Sequence, residues 1–233
     1  MGGMRTLVLW DIDLTLLDLR RLGASWFRQA LLEVTGRELG TAPAFGGRTD
    51  RWIARQLLAG VDVEPTDELV DALHAAAVRI AGGQRDRMAE LGVVLPGVPA
   101  VLKEIANRPD VVQTLVTGNL RPIAGYKVHA FGLGGYLDLE IGGYGDSSEQ
   151  RSVLVADALA GAWRQHGTRF TGTSVVVVGD TPHDIHAALA HDARAVGVAT
   201  GNYPSDALLA AGAHVVLPDL ADTAHAVHTI LSS

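Results

Sequence analysis

The sequence predicts an α/β protein in which a mostly parallel sheet carries a helical insertion after its first strand. Short apolar stretches with the composition of buried strands recur along the chain, and helical patterns lie between most of them. Such alternation is typical of a parallel sheet covered by helices. The alternation breaks once, because roughly a hundred residues with helical spacing alone separate the first strand from the second, far more than an ordinary crossover needs.

Six stretches are predicted to form the strands of this sheet. The first, residues 6–11, is a continuous apolar run, and the β-branched run at residues 173–179 indicates a central strand. The other predicted strands are residues 111–117, 137–141 and 194–199, with a further candidate at 214–216. Helices are predicted between them, among others at residues 100–107 and 152–160.

The insertion is predicted to span residues 17–94 as a helical cap, which leaves residues 1–16 and 95–233 as the α/β core. Its apolar residues recur at helical spacing, and Pro65-Thr66-Asp67-Glu68 has the composition of a helix start. Because the insertion follows a strand end directly, we expect it to lie over the crevice there, as a lid that excludes water and selects substrates. The alternative is a helical decoration with no catalytic task.

Composition and charge limit the classes of function. With 48% hydrophobic and 19% charged residues, the 233-residue chain has the make-up of a soluble globular protein. A formal net charge of −7 argues against a nucleic-acid or anionic-membrane partner, for which lysine and arginine would cluster. The absence of cysteine excludes disulfides, thiolate catalysis and cysteine-ligated zinc. No signal peptide or membrane-spanning stretch is recognisable, so a cytoplasmic protein is expected.

Asp11 and Asp13, at the end of the first predicted strand, are the leading candidates for chemistry. The carboxyl end of a strand is where parallel sheets place their ligands. Two carboxylates so close repel each other unless a cation or a shared proton intervenes, which indicates a metal site, a nucleophile with an acid/base partner, or both. Thr15 follows in the same turn, as a candidate phosphate contact or as a hydrogen-bonding residue of the turn itself.

The end of the second predicted strand offers groups that suit an anion. The Thr117 hydroxyl and the amides of Gly118 and Asn119 could bind phosphate oxygens. An ordinary turn after a strand explains the same three residues.

Asp180 ends the β-branched strand, where its oxygens are placed to ligate a hard cation. In the helix that follows, Thr181 is the predicted N-cap. Asp184 would then lie in the first helical turn, where an acid favours the helix dipole. The sequence leaves open whether Asp184 serves the helix alone or also supports a metal site.

Three motifs in this order resemble those of the haloacid dehalogenase superfamily, in particular its phosphoglycolate phosphatase-like and β-phosphoglucomutase-like branch. They are Asp11-x-Asp13-x-Thr15, Thr117-Gly118-Asn119 and Gly179-Asp180-Thr181-Pro182-His183-Asp184. The resemblance spans essentially the whole chain and implies a Rossmann-like core with a helical cap.

The resemblance also implies roles for the acidic residues. Asp11 would be the nucleophile and Asp13 the general acid/base. Mg²⁺ would be held by the Asp11 carboxylate, the Asp13 backbone carbonyl and Asp180, with Asp184 close behind. Thr117 would bind the transferring phosphoryl group.

Two departures from the family pattern stand out. The family usually has glycine at the position of Leu14, where glycine eases the turn after the nucleophile. It also expects a lysine before the last motif, and residues 142–151 contain none. Arg151 is our candidate substitute, because the planar guanidinium binds phosphate well. Lys127 is the competing candidate.

The segment Phe45-Gly46-Gly47-Arg48-Thr49-Asp50 resembles the cap loop that faces the active site in this branch. Arg48 could bind a carboxylate or a second phosphate of the substrate. A solvated arginine at a helix start is the alternative interpretation.

The leading hypothesis is a Mg²⁺-dependent phosphatase that hydrolyses a small-metabolite phosphomonoester through an aspartyl-phosphate. A phosphomutase of the β-phosphoglucomutase type is the alternative, disfavoured because the only lysines, Lys103 and Lys127, lie outside the predicted cap. A dehalogenase is disfavoured further, since that chemistry needs neither Asp13 nor a magnesium site. A non-catalytic phosphometabolite-binding or interaction module on the same fold also stays open. We expect a small phosphorylated metabolite as partner, no nucleic acid or membrane, and a monomer or homodimer.

Overall fold

A computed structural model describes residues 6–40 and 45–232, with the backbone alone for residues 20 and 21. Its centre is a six-stranded sheet in the order β5-β4-β1-β6-β7-β8, in which every neighbouring pair is parallel. The strands are β1 (Thr6–Trp10), β4 (Val111–Thr117), β5 (Gly143–Tyr144), β6 (Val175–Gly179), β7 (Arg194–Val198) and β8 (Val215–Leu217). The predicted α/β class with a mostly parallel, Rossmann-like sheet is confirmed.

A second, two-stranded sheet joins the two ends of the helical segment. It pairs β2 (Leu17–Asp18) with β3 (Val93–Val94) in antiparallel fashion. Between these strands lie α1 (Arg20–Thr35), α2 (Asp50–Ala59), α3 (Asp67–Gly83) and α4 (Met88–Leu91). The sequence did not predict this ribbon, because two residues are too few to show a strand period. The division of the chain into a core and a cap stays a prediction.

The remaining helices cover the large sheet. They are α5 (Val98–Ala106), α6 (Arg121–Ala130), α7 (Arg151–His166), α8 (Pro182–Leu189), α9 (Ser205–Ala210) and α10 (Thr223–Leu231). Single 3₁₀ turns occur at Arg85–Arg87, Gly134–Tyr136 and Gly172–Ser174. Within the described residues, no helix has both the length and the apolar character that a membrane crossing requires.

The predicted strand at residues 137–141 is wrong, since the paired strand begins later, at Gly143. Leu137 and Ile141 are buried, which explains the apolar pattern that suggested a strand. The segment touches β4 through isolated hydrogen bonds, in which Asp138 N donates to Gln113 O (2.9 Å) and Thr114 Oγ1 to Asp138 O (2.5 Å). Burial alone therefore produced the pattern, without a ladder of strand hydrogen bonds.

The first strand lies in the middle of the sheet and is buried on both faces, which is why its sequence is a continuous apolar run. Leu7 and Leu9 pack with α7 and α8 on one face. Val8 and Trp10 face the other side, where the apolar core continues without a break into the helical segment. This shared core attaches α1, α2 and α3 to the carboxyl edge of the sheet.

Candidate active site

Three neighbouring strands bring the predicted site residues to one edge of the sheet. Strand β1 lies between β4 and β6, with Trp10 beside Leu115 on one side and Val178 on the other. The residues that follow these strands therefore meet at their carboxyl ends. Asp11, Asp13, Thr117 and Asp180 are all placed there by this register.

Arg151 opens α7 and points its guanidinium at Asp11. Arg151 Nη2 lies 2.5 Å from Asp11 Oδ1 and 2.6 Å from Asp184 Oδ1. Its Nη1 also lies 3.4 Å from the Gly47 carbonyl oxygen, which belongs to the loop before α2. All three side chains of the ion pairs are buried, so little water screens these contacts.

Asp11, Asp180 and Asp184 form a cluster of buried carboxylates. Each offers an oxygen within 4.8 Å of the others. Burial raises the pKa of Asp11 to about 7, against the opposing effect of Arg151. Burial, followed by repulsion from Asp11, raises the pKa of Asp180 to about 9.

The charges of this cluster favour a bound cation. Two of the three carboxylates, those of Asp11 and Asp184, contact the guanidinium of Arg151 directly. Buried like charges are costly unless they are paired or coordinate a metal. Carboxylate oxygens are the ligands that hard divalent cations prefer. The residues present therefore fit a divalent metal ion.

Asp184 also serves its own helix. Its Oδ2 accepts hydrogen bonds from Thr181 N (3.1 Å) and Thr181 Oγ1 (2.6 Å), which completes a capping box at the start of α8. Its Oδ1 makes the ion pair with Arg151 at an angle that is not a hydrogen bond. The role of Asp184 in its helix is therefore present, and its support of a metal site stays a prediction.

Asp13 has a different set of partners. Lys127 Nζ lies 2.7 and 2.6 Å from the two carboxylate oxygens of Asp13, and Asn119 Nδ2 donates to Oδ2 at 2.7 Å. Lys127 also donates to Asn119 Oδ1 at 2.7 Å, which closes a triangle of polar groups. Lys127 is buried on α6, whereas the Asp13 side chain is 36% exposed toward the cavity. The two candidate cations thus contact different aspartates, Arg151 at Asp11 and Lys127 at Asp13.

The end of β4 provides a tight backbone turn. Thr117 Oγ1 accepts from Asn119 N (3.3 Å) and Asn119 Nδ2 (2.8 Å). A Cβ atom on Gly118 would lie 2.0 Å from the Arg48 carbonyl oxygen, so only glycine fits between the two loops. Thr117 is fully buried behind Gly118 and Asn119, which themselves line the cavity.

The turn after β1 places Leu14 in an unusual backbone conformation and Thr15 beside the carboxylate cluster. Leu14 has a φ of 66°, in the left-handed region that favours glycine. The turn is held by hydrogen bonds from Leu14 N to Leu17 O (2.8 Å) and from Thr200 Oγ1 to Leu14 O (2.5 Å). Thr15 Oγ1 lies 3.5 Å from Asp180 Oδ1, so its contact is with the carboxylate cluster.

The start of α2 is hydrogen-bonded to the loop after β4 through Asp50, which sequence reasoning did not select as a site residue. Asp50 N donates to Gly118 O (2.7 Å), and the Asp50 carboxylate accepts from Leu120 N (2.8 Å). Arg51 N donates to Gly145 O (3.0 Å). Burial raises the pKa of Asp50 to about 7. The sequence showed Thr49 and Asp50 as a helix start, but no pattern in it indicated the contact with residues some seventy positions away.

A cavity of about 250 Å³ lies between the strand ends and the helical segment. Asp11, Asp13, Lys127, Arg151 and Asp180 form its polar floor. Arg48, at its rim, is exposed and stacks over the ring of Trp52, with its guanidinium carbon 4.5 Å from the ring centroid. This placement is compatible with both interpretations of Arg48 that the sequence allowed.

Comparison with solved structures shows the same fold in several bacterial proteins. A hydrolase from Pseudomonas syringae aligns with a TM-score of 0.70 and 20% identity, over 98% of this chain and 100% of that chain. A protein described as a predicted phosphatase from Clostridium acetobutylicum aligns with a TM-score of 0.71 and 16% identity, over 97% of this chain and 100% of that chain. A candidate β-phosphoglucomutase from Bacteroides vulgatus aligns with a TM-score of 0.67 and 18% identity, over 99% of this chain and 91% of that chain. No curated protein sequence matches the chain significantly.

The sequence profile of one family matches most of the chain. It is the profile of the haloacid dehalogenase-like hydrolases, and it covers residues 8–189. This range includes the ends of β1, β4 and β6, together with Arg151 and Lys127. The resemblance drawn from the motifs is thereby confirmed, and the chain belongs to the haloacid dehalogenase-like hydrolase family.

Proposed function

We propose that the protein is a Mg²⁺-dependent phosphatase that hydrolyses the phosphomonoester of a small metabolite through an aspartyl-phosphate on Asp11. One observation supports this proposal above all: Asp11 and Asp13 lie in the same turn but have different surroundings. Asp11 belongs to a carboxylate cluster with Arg151, which suits a nucleophile beside a metal ion. Asp13 faces the cavity and is held by Lys127 and Asn119, which suits proton transfer.

In the first half of the reaction, the Asp11 carboxylate attacks phosphorus and the bond from phosphorus to the ester oxygen breaks. Asp13 donates its proton to the departing oxygen, which leaves as the alcohol. In the second half, Asp13 takes a proton from water, and the water oxygen attacks phosphorus. The bond from Asp11 to phosphorus breaks, so orthophosphate is released and both aspartates return to their starting states.

Magnesium would be held by the Asp11 carboxylate, the Asp13 backbone carbonyl and Asp180, with Asp184 behind them. When bound, the ion supplies positive charge against the phosphoryl oxygens. Within the chain itself, the Arg151 guanidinium, which contacts Asp11, would also supply positive charge against the phosphoryl oxygens.

The phosphoryl group would be held by the end of β4 and by Arg151. Gly118 and Asn119 line the cavity, so their backbone amides are the proposed contacts. Thr117, which lies behind these two residues, stays the proposed phosphoryl contact that the family resemblance implies. Thr15 would support this site through Asp180, and Arg48 would contact the substrate from the rim.

The remaining parts of the proposal are supported by the amino-acid sequence alone. A phosphomutase stays the alternative, with the absence of lysine from residues 17–94 against it. Residues 17–94 would act as a cap over the core formed by residues 1–16 and 95–233. A cytoplasmic location and a monomeric or homodimeric state stay predictions.

Hydrolysis of a generic aryl phosphate tests the proposal. Release of orthophosphate should require Mg²⁺ and should fall by roughly 1,000-fold or more in Asp11→Asn, because the amide is no nucleophile. Asp86→Asn, a change of the same chemistry at a side chain that is 91% exposed, should keep the wild-type rate. Unchanged turnover in Asp11→Asn would remove the nucleophile assignment. Transfer of the phosphoryl group within a sugar phosphate, without orthophosphate release, would favour the mutase.

A further inference from the structure

The cavity above the carboxylate cluster changes character with distance from the strand ends. Its floor carries the charged residues of the candidate active site. Its walls are formed mainly by six apolar side chains, five from the helical segment and one, Ile123, from α6; the five are Leu19, Trp26, Phe27, Phe45 and Ile53. A phosphoryl group on the floor would therefore direct the rest of its ester into apolar surroundings.

Two of the polar groups on these walls have hydrogen-bond partners within the protein. Trp26 Nε1 donates to Gln84 Oε1 at 3.0 Å, so the indole N–H is turned away from the cavity. The Asp50 carboxylate accepts from Leu120 N. Arg48 is exposed at the rim and stacks on Trp52. The remaining polar residues of the upper cavity, Asn202 and Tyr203, come from the loop after β7 and not from the helical segment.

We infer that the preferred substrates are phosphomonoesters whose alcohol is an apolar alkyl or aryl group, and not a polyol. This inference rests on the proposed phosphatase function. Sugar and polyol hydroxyls that leave water need hydrogen-bond partners, and the apolar walls offer none from the six side chains named above.

The size of the cavity limits the apolar group. An apolar cavity of about 150 Å³ holds one benzene ring. The observed cavity of about 250 Å³ thus accommodates a phosphoryl group together with an apolar group of about that size. A short alkyl chain or a single aromatic ring meets this limit.

Gly23 is the position at which the limit on the length of the substrate's apolar group can be tested. It lies on α1 and lines the cavity, and a Cβ atom added there meets no atom within 4 Å. A larger side chain at this position would therefore occupy the space that the inference gives to the substrate. Ser25 lies on the same helix and is exposed, so it offers a matched control.

The experiment measures kcat/KM for n-alkyl phosphates from ethyl to hexyl with the full chain and Mg²⁺. Each methylene should raise kcat/KM by about fourfold until the cavity is filled. Butyl phosphate should exceed erythritol 4-phosphate, which has the same number of carbons, by at least roughly tenfold. Gly23→Leu should lower the ratio of hexyl to ethyl phosphate by roughly tenfold or more, since it removes space for several methylenes. Ser25→Leu should leave that ratio unchanged.

Binding of the non-hydrolysable n-alkylphosphonates, measured by calorimetry, separates this inference from the proposed function. Turnover with no dependence on chain length, or with erythritol 4-phosphate preferred, overturns the inference and leaves the phosphatase in place. No turnover of any ester, with phosphonate affinity that rises with chain length, keeps the inference about the cavity and overturns the phosphatase. No turnover together with length-independent phosphonate binding overturns both.

Discussion

Replacing Leu14 by glycine should leave the protein about 1 kcal/mol more stable than replacing it by alanine. Leu14 has a φ of 66°. A non-glycine residue pays roughly 1–2 kcal/mol for the left-handed conformation. Glycine avoids this strain but loses about 0.5–1 kcal/mol through the greater freedom of the unfolded chain. The difference favours glycine, although glycine is usually the less stable choice.

The comparison with alanine isolates the effect of the backbone conformation on the free energy of unfolding. Leu14 is 7% exposed, so both variants lose its packing, a loss of roughly 2 kcal/mol or more relative to leucine. The free energy of unfolding is measured by urea denaturation, followed through the fluorescence of the buried Trp10 and Trp26. Equal slopes with urea concentration are required for the comparison, since a changed slope means a changed unfolded state.

Leu16 is the matched control, because it is buried in the same turn and lies outside the positive-φ residues. There, glycine should be less stable than alanine by roughly 0.5–1 kcal/mol, the opposite sign. If Leu14→Gly is no more stable than Leu14→Ala, the turn does not carry the strain assigned to it. The leucine would then be fully accommodated where the family usually has glycine.

Three further predictions follow from the contacts of the site. Arg151→Ala should lower the kcat for an aryl phosphate by roughly 100-fold or more, and by more than Lys127→Ala does, because Arg151 contacts Asp11. Asp50→Ala should lower the free energy of unfolding by about 1–2 kcal/mol in urea denaturation, since Leu120 N loses its acceptor, whereas Asp50→Asn should lower it less. Without metal, stability should fall as pH rises from 5 to 8, because the raised pKa values of Asp11 and Asp180 mean that the folded state binds more protons than the unfolded state. Asp180→Asn should flatten this slope, and Mg²⁺ should stabilise the wild type more at pH 8 than at pH 5.

Each of these has a result that would contradict it. A larger loss of kcat from Lys127→Ala than from Arg151→Ala would give Lys127 the role beside the nucleophile. Equal stability of Asp50→Ala and the wild type would mean that the hydrogen bond to Leu120 contributes nothing. A pH slope unchanged by Asp180→Asn would show that the carboxylate cluster does not cause the loss of stability.

The sequence predicted the strands of the sheet correctly where a segment with strand-favouring residues also pairs with its neighbours. Residues 111–117 were predicted as they are found, because the segment is rich in the β-branched residues that favour strands. The prediction failed at residues 137–141, where buried side chains accompany an irregular backbone. Periodicity reports which residues are buried, and hydrogen-bond partners decide whether a buried segment is a strand.

The sequence by itself determined the positions of most strands along the chain, the acidic residues at their ends and the family, because each of these depends on local patterns. Only the tertiary structure decided which cation meets which aspartate. Arg151 reaches Asp11 across 140 positions and Lys127 reaches Asp13 across 114, and no local pattern encodes such pairings. The same is true of Asp50 and of the apolar cavity walls, which form only when the helical segment packs on the sheet edge. Burial, which gives the carboxylate cluster its raised pKa values, is likewise a property of the folded chain.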